Sequence, residues 1–202
     1  ELAHLLWKSA VSPGDIVIDC TAGKGYDSLV LARLLFPDSA LDGEAAAAAQ
    51  GQLVCIDVQE SAVAQTQARL QQALPPQAMQ RISVLQQSFC ELPPACEPPI
   101  AERSVALVAY NLGFLPGSDK SVCSTVQDTL DSLNKASKLV KLGGAISVTC
   151  YPGHEEGAAE VAAVKEWGAG LATREWRVFE HSRLNSPEGV PLLVVAYKVQ
   201  QR

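Results

Sequence analysis

Three acids, two glycines and one carboxamide are spaced so that an α/β chain could gather them at one end of a sheet. Asp19 closes the apolar run Ile16-Val17-Ile18. The chain then turns through Thr21-Ala22-Gly23-Lys24-Gly25-Tyr26-Asp27 and enters the helical pattern Leu29, Val30, Ala32, Arg33, Leu34. A strand that feeds a glycine turn at a helix N-terminus brings bare backbone close to a ligand and points free N–H groups at it. Asp57 stands near the end of a second apolar run. A carboxylate there can accept two hydrogen bonds from ribose hydroxyls, and its loss should cost roughly 1.5–3 kcal/mol of binding. Asn111 follows a third run and precedes Leu112-Gly113-Phe114-Leu115-Pro116-Gly117. A strand-end amide, a turn exposing carbonyls and an aromatic ring suit methyl transfer to an amino nitrogen. The Asn111 oxygen and a backbone carbonyl can accept the two N–H bonds, and Phe114 can stack on a planar base. The gain is orientation, with electrostatics suited to a nitrogen that becomes cationic as it attacks.

The glycine turn is compatible with three cofactor classes in unequal degree. A P-loop fails, because Lys24 is followed by Gly25 rather than Ser or Thr and no glycine lies five residues before Gly23. A dinucleotide fingerprint half-fails, because Ser28 stands where its third glycine belongs. An S-adenosylmethionine (SAM) site remains, where the strand-end acid and the turn face the amino-acid end of the cofactor and no diphosphate is cradled. Gln87-Ser88-Phe89, after the third strand, could supply a hydroxyl and an apolar edge to the adenine. Plainer readings stand beside these: a tight turn at Gly23–Gly25, a helix cap at Asp57, and ordinary loops at Ser88 and Asn111.

These residues need strands ending together, and the pattern supplies them. A short amphipathic helix over Leu2–Ala10 precedes strands at Ile16–Cys20, Gln52–Val58, Ile82–Gln86, Val105–Tyr110 and Ala145–Tyr151. Helices fall at Asp27–Leu35, Ser61–Ala73 with Ser61 as N-cap, Val122–Lys141 closed by Gly143-Gly144, and Glu155–Gly168. Residues Glu175–His181 and Leu192–Val199 flank a turn and form a closing antiparallel pair. Residues 37–51, alanine-rich at Glu44–Gln50, are a surface insertion that stretches the Gly25–Asp57 gap beyond the usual ~20 residues. The expectation is one domain over 1–202. Its sheet is mostly parallel and seven-stranded, Rossmann-like, with helices on both faces and a terminal antiparallel hairpin.

Composition narrows the partners. With 202 residues, 48% hydrophobic content and net charge −6, the chain suits a full α/β core and argues against a general nucleic-acid coat or a membrane-surface protein. No apolar run approaches membrane-spanning length. The six cysteines form no Cys-x-x-Cys pair and have no histidine at metal spacing, so no metal and a reducing compartment are expected. Lys135, Lys138 and Lys141 suit a helix C-terminus, whereas Lys120, Arg174, Arg177 and Arg183 are the candidates for phosphate contact. His4 and His181 read as structural or surface residues. The Ala3–Trp7 face reads as a packing or homodimer surface.

Taken together, Asp19 to Asp27, Asp57-Val58-Gln59, Asn111 to Lys120 and Tyr151-Pro152-Gly153-His154 resemble the SAM-dependent methyltransferase family labelled "putative rRNA methylase". The resemblance runs from Ala3 through Asn185 and is most specific at Asn111–Lys120. It implies a class I methyltransferase fold and an N-methyltransferase that converts the 5-aminomethyl group of wobble (2-thio)uridine to methylaminomethyl. The tRNA anticodon loop would be its partner. By that resemblance Asp19, Thr21, Gly23, Gly25 and Asp27 line the methionine end of SAM, and Asp57 and Gln59 hold the ribose and flank the adenine. Asn111, Leu112, Gly113 and Phe114 form the methyl-transfer face, and Gly117, Asp119 and Lys120 the substrate loop. Tyr151 and His154 rim the pocket, and Asn185 approaches it from the hairpin. His154 or Asp27 is the candidate to take the amine's proton. The chain departs from the family pattern at Ala22 and Lys24 in place of Cys and Asn, at Phe89 in place of His, and at Pro152. An rRNA base, another amino-bearing substrate or a non-catalytic SAM-binding module are the alternatives. The alanine-rich insertion and the Ala3–Lys8 opening resemble plant and algal relatives. With Glu1 in place of Met, that points to a chloroplast protein whose transit peptide lies upstream.

Overall fold

The computed structural model describes residues 2–37, 51–113, 125–153, 155–187 and 189–199. Most of the expected insertion and the candidates Phe114, Gly117, Asp119, Lys120 and His154 lie outside them. The chain runs α1 (Leu2–Ala10), β1 (Ile16–Asp19), α2 (Tyr26–Leu35), β2 (Gln52–Asp57), α3 (Glu60–Ala73), a short α4 (Pro76–Met79), β3 (Ile82–Gln86) and a 3₁₀ turn (Phe89–Glu91). It continues with β4 (Val105–Leu112), α5 (Val126–Leu139), β5 (Val140–Cys150), α6 (Glu155–Gly170), β6 (Trp176–His181) and β7 (Leu192–Lys198). The strands form one seven-stranded sheet in the order β3-β2-β1-β4-β5-β7-β6. Strands β1 to β5 are parallel, and β7 runs antiparallel between β5 and β6. The strand order reverses between β1 and β4, which opens a crevice at their carboxyl ends.

Near-continuous apolar strands require cover on both faces, and alternate residues divide between two cores. Val17, Leu53 and Leu107 pack with Trp7 of α1, Leu31 and Leu35 of α2 and Leu70 of α3. Ile18, Val54 and Val108 pack with Leu133 of α5, Val161 and Val164 of α6 and Trp176 of β6. The Ala3–Trp7 face is therefore used within the chain: Trp7 is buried, and Ala3 and Leu6 pack against the same core. Leu2 and Leu5 remain exposed on the other side of α1. At the base of the expected insertion the chain closes on itself, because a Cβ on Gly51 would stand 3.3 Å from the Phe36 ring. Among the described residues, no helix is long and apolar enough to cross a membrane.

Helix α2 begins one residue earlier than expected and α6 ends two residues later, and the starts of two other helices shift for local reasons. Helix α3 starts at Glu60 and not after Ser61. The Asp57 carboxylate accepts the Gln59 N–H at 3.0 Å, so the strand-end acid organises the turn and Ser61 falls inside the helix. Helix α5 starts after Thr125, where Thr125 Oγ1 accepts the Asp128 N–H and Asp128 Oδ2 accepts the Thr125 N–H, a reciprocal capping box.

Its other end overturns the reading of Gly143-Gly144 as a helix cap. The chain passes from Leu139 into β5 at Val140, and Lys198 Nζ donates to the Ser137 and Val140 carbonyls at 2.9 and 3.1 Å. That cation, with the Arg103 N–H donating to the Lys138 carbonyl at 3.0 Å, satisfies the helix end. The glycines instead lie in β5, beside the register shift between Val105 and Leu107 of β4. A Cβ on Gly144 would stand 2.8 and 2.9 Å from the Ala106 and Val105 carbonyl oxygens. Gly144→Ala should therefore destabilise the fold by roughly 1–3 kcal/mol, because the clash is with backbone that cannot move aside. A urea denaturation with an unchanged midpoint would contradict this.

Candidate functional site

The turn after β1 is fixed from beneath by a buried acid. Asp19 is 1% exposed; its Oδ2 accepts the Ser28 hydroxyl at 2.6 Å and its Oδ1 the Thr21 N–H at 3.2 Å. Burial outweighs those bonds, with the charges of Asp27 and Asp57 adding to it, and pushes the carboxyl from 3.8 to about 7. The resemblance puts Asp19 at the cofactor; its carboxyl lies beneath the turn, which it clamps. Ser28, read from the sequence only as a missing glycine, is its partner. Thr21 works in the next layer, where its Oγ1 accepts the Asn111 N–H at 2.7 Å and ties the turn to the end of β4.

The glycine turn is held from the side by α3 and β2. Asp57 Oδ2 accepts the Gly23 N–H at 2.9 Å, and Thr66 Oγ1 donates to the Gly23 carbonyl at 3.2 Å. Arg69 Nε donates to the Lys24 carbonyl at 2.7 Å, and its guanidinium lies 3.7 Å from the centre of the Tyr26 ring. Gly25 has φ +75°, and a Cβ there would stand 2.9 Å from Thr66 Cα, so glycine is required on two counts. Asp57 is half-buried, and each of its oxygens accepts one backbone N–H, from Gly23 and from Gln59. Each carboxylate oxygen retains a second acceptor position. A strand-end carboxylate with spare acceptors beside a bare glycine turn, at the crevice where strand order reverses, fits the ribose and amino-acid ends of SAM.

The least anticipated cluster lies across the crevice. Asn111 Nδ2 donates to Asp27 Oδ2 at 2.5 Å, and His4 Nε2 stands 2.5 Å from Asp27 Oδ1. A carboxylate can only accept, so both neighbours present N–H groups to it. This leaves the Asn111 Oδ1 free of Asp27. The side chains of His4 and Asp27 are 31% and 29% exposed, which places the cluster at the surface of the crevice. Residues 4, 27 and 111 come from α1, α2 and β4, so sequence spacing carries no signal for their meeting. His4, read as structural, belongs with the candidate residues.

The other candidates are placed unevenly. Leu112 is buried at the end of β4, and Gly113 follows it in the open. A Cβ on Gly113 would stand 3.1 Å from the Tyr151 ring, so Tyr151 borders the Asn111 turn. Burial pushes the Tyr151 phenol up, and Asp27's charge adds to the shift. Ser88 Oγ accepts the Cys90 N–H at 3.2 Å and caps the 3₁₀ turn. Phe89, half-buried, packs edge-on against buried Tyr110, 5.9 Å between ring centres, at the margin of the core. Asn185 lies exposed in the β6–β7 connection; it is Gly189 of that connection that meets the segment after β5, its carbonyl 3.5 Å from where a Gly153 Cβ would stand.

Several charges have local partners. Arg177 donates to the Thr173 and Trp176 carbonyls, Arg174 pairs with Glu175, and Lys141 pairs with Asp15. Cys20, Cys55, Cys96 and Cys150 are free and buried, and burial raises each thiol. Among the described residues no three of His, Cys, Asp and Glu are grouped to hold a metal.

Comparison with known proteins adds independent findings. The family model described as "Putative rRNA methylase" matches residues 53–197. The chloroplastic tRNA (mnm(5)s(2)U34)-methyltransferase of Arabidopsis thaliana is 33% identical over 198 residues, covering 98% of this chain and 68% of that protein. The crystal structure of an rRNA methylase homologue from Clostridium thermocellum has a TM-score of 0.82 at 28% identity, over 98% of this chain and 96% of that one. A methyltransferase structure from Streptococcus mutans, in complex with SAH, shares the fold with a TM-score of 0.76 at 22% identity, over 98% and 96% of the two chains.

The raised Asp19 carboxyl has a stability consequence with a definite sign. Its proton is held in the fold up to about pH 7 but leaves the unfolded chain near 3.8. The fold therefore binds the extra proton between those values, and Asp19's contribution declines as pH rises from about 4 to about 7. Asp19→Asn should flatten that decline relative to the parent. Parallel stability–pH profiles for the two proteins in urea would show that Asp19 carries no such linkage.

Proposed function

The chain belongs to the "Putative rRNA methylase" family and is a SAM-dependent methyltransferase; from that premise we propose that it methylates the 5-aminomethyl group of wobble (2-thio)uridine in tRNA. The product would be the methylaminomethyl form, and the anticodon loop the docking partner. The observation that carries the reading is the Asn111 carboxamide. Its Nδ2 donates to Asp27 at 2.5 Å, so its Oδ1 is turned away from that carboxylate and, among the described residues, is left to accept an N–H from a primary amine. The 33% identity to a protein named for that tRNA reaction supports the substrate.

Asp57 and Gln59 would hold the ribose end of SAM, and the Gly23–Gly25 turn its amino-acid end. When bound, SAM supplies a methyl group on a sulfonium that an amine lone pair can attack. The chain's own contribution is orientation and charge. Asn111 Oδ1 takes one N–H of the amine and so directs the lone pair. The Asp27 carboxylate, one hydrogen bond behind it, favours positive charge on the nitrogen as the new bond forms. Tyr151 beside Gly113 walls the same face. Few phosphate contacts are required if the partner is a single unstacked loop base, which is compatible with an acidic chain. A plastid location fits the chloroplastic relative.

The decisive experiment incubates the protein and SAM with tRNA that carries or lacks the aminomethyl group, then weighs the wobble nucleosides by mass spectrometry. A mass increase of one methyl group, confined to the aminomethyl tRNA, is expected. Asn111→Ala should lower kcat by about 100-fold or more while SAM still binds, because orientation is lost and the cofactor site is not. Equal methylation of both tRNAs would overturn the reading in favour of an rRNA base or another amine. Full activity in Asn111→Ala would remove Asn111 from the reaction.

A further inference from the structure

We propose that His4 is a positioning residue of the methyl-transfer site, which through Asp27 fixes the direction in which the Asn111 carboxamide faces. This rests on the reading of Asn111 as the group that orients the amine. An asparagine side chain has two orientations that differ only by exchanging its oxygen and its NH₂ group. Only one presents an acceptor to an incoming amine; the other presents two N–H groups, which would donate to the amine's lone pair and occupy the electrons the reaction needs. Asp27 selects between them, because a carboxylate on the Nδ2 side can accept and cannot donate.

A carboxylate held through one oxygen can still swing about its own axis, and Asp27 is held through both. His4 Nε2 meets Oδ1 at 2.5 Å while Asn111 Nδ2 meets Oδ2 at the same distance. His4 is itself anchored. Its ring lies 5.0 Å from that of Trp7 at an interplanar angle of 42°. Trp7 is 2% exposed, and its Nε1 donates to Ser147 Oγ of β5 at 2.9 Å. A continuous series of contacts therefore runs from β5 through Trp7 and His4 of α1, across Asp27 of α2, to Asn111 at the end of β4. This makes α1, which precedes the whole parallel sheet in sequence, a wall of the reaction site as well as a cover for the core.

Two substitutions separate hydrogen bonding from packing. His4→Phe keeps a ring over Trp7 and removes the donor. His4→Gln replaces Nε2–H with an amide N–H at similar reach. In ¹⁵N-labelled protein the Asn111 side-chain NH₂ signal, identified by its loss in Asn111→Ala, should move in H4F and return toward the parent position in H4Q. In methyl transfer to aminomethyl tRNA, H4F should lower kcat roughly tenfold with the KM for SAM held within about twofold, and H4Q should recover most of the loss. An Asn111 signal unchanged in H4F would overturn the proposal, as would H4F retaining full kcat or H4Q losing as much as H4F. If the parent protein transfers no methyl group to this tRNA, the functional reading fails. The NH₂ signal still decides whether His4 orients Asn111.

Discussion

A carboxyl group removed from water at the end of a strand must find its hydrogen bonds inside the chain. At Asp19 that requirement shapes everything around the crevice. Ser28 on α2 and the Thr21 N–H satisfy it, which fixes the start of α2 relative to the end of β1. Once that is fixed, Thr21 is in place to receive the Asn111 N–H from β4. The turn also meets Asp57 of β2 and Thr66 of α3 at set positions. The cost of an unpaired buried polar group is what makes the arrangement singular, since few alternative turns satisfy all of these donors and acceptors at once.

The acids of the site divide their work by depth. Asp19, fully buried, is structural and tends toward the neutral form. Asp57, half-buried, ties two backbone N–H groups and keeps acceptor positions in reserve. Asp27, at the surface of the crevice, holds two side chains apart and in register. For Asp19 the cause is burial, which disfavours the charged form of a carboxyl held away from water. A cationic transition state is served by the charge at the surface, and a rigid turn by the acid below.

Much of this architecture is legible from the chain alone. The strands are, because period-two burial on both faces leaves unmistakable apolar runs such as Leu53–Ile56 and Val105–Tyr110. Asp57 and the glycine turn are also legible, since their roles depend on neighbours within a few residues. Gly143-Gly144 misleads for the opposite reason. Local rules assign a glycine pair after a helix to its end, while the actual cap is Lys198, sixty residues away on β7. The start of α5 was readable as Thr125-x-x-Asp128, but the apolar Val122 drew the boundary too early. His4 carried no signal at all. Its significance arises from a contact across 23 residues with Asp27 and, through it, across a further 84 with Asn111. The packing of Trp7, with Ala3 and Leu6 against the same core, determines which way that face of α1 points.

The contact between Phe36 and Gly51 closes a small gate in the chain's path. Whatever length of polypeptide lies between them departs and returns at one point, at the amino-terminal end of β2 and so at the opposite end of the sheet from Asp27 and Asn111. Lengthening such an excursion adds only a slowly growing entropic cost, about 0.6 kcal/mol for each doubling. A change in the length of that excursion is therefore tolerated thermodynamically without displacing the crevice at the other end of the sheet.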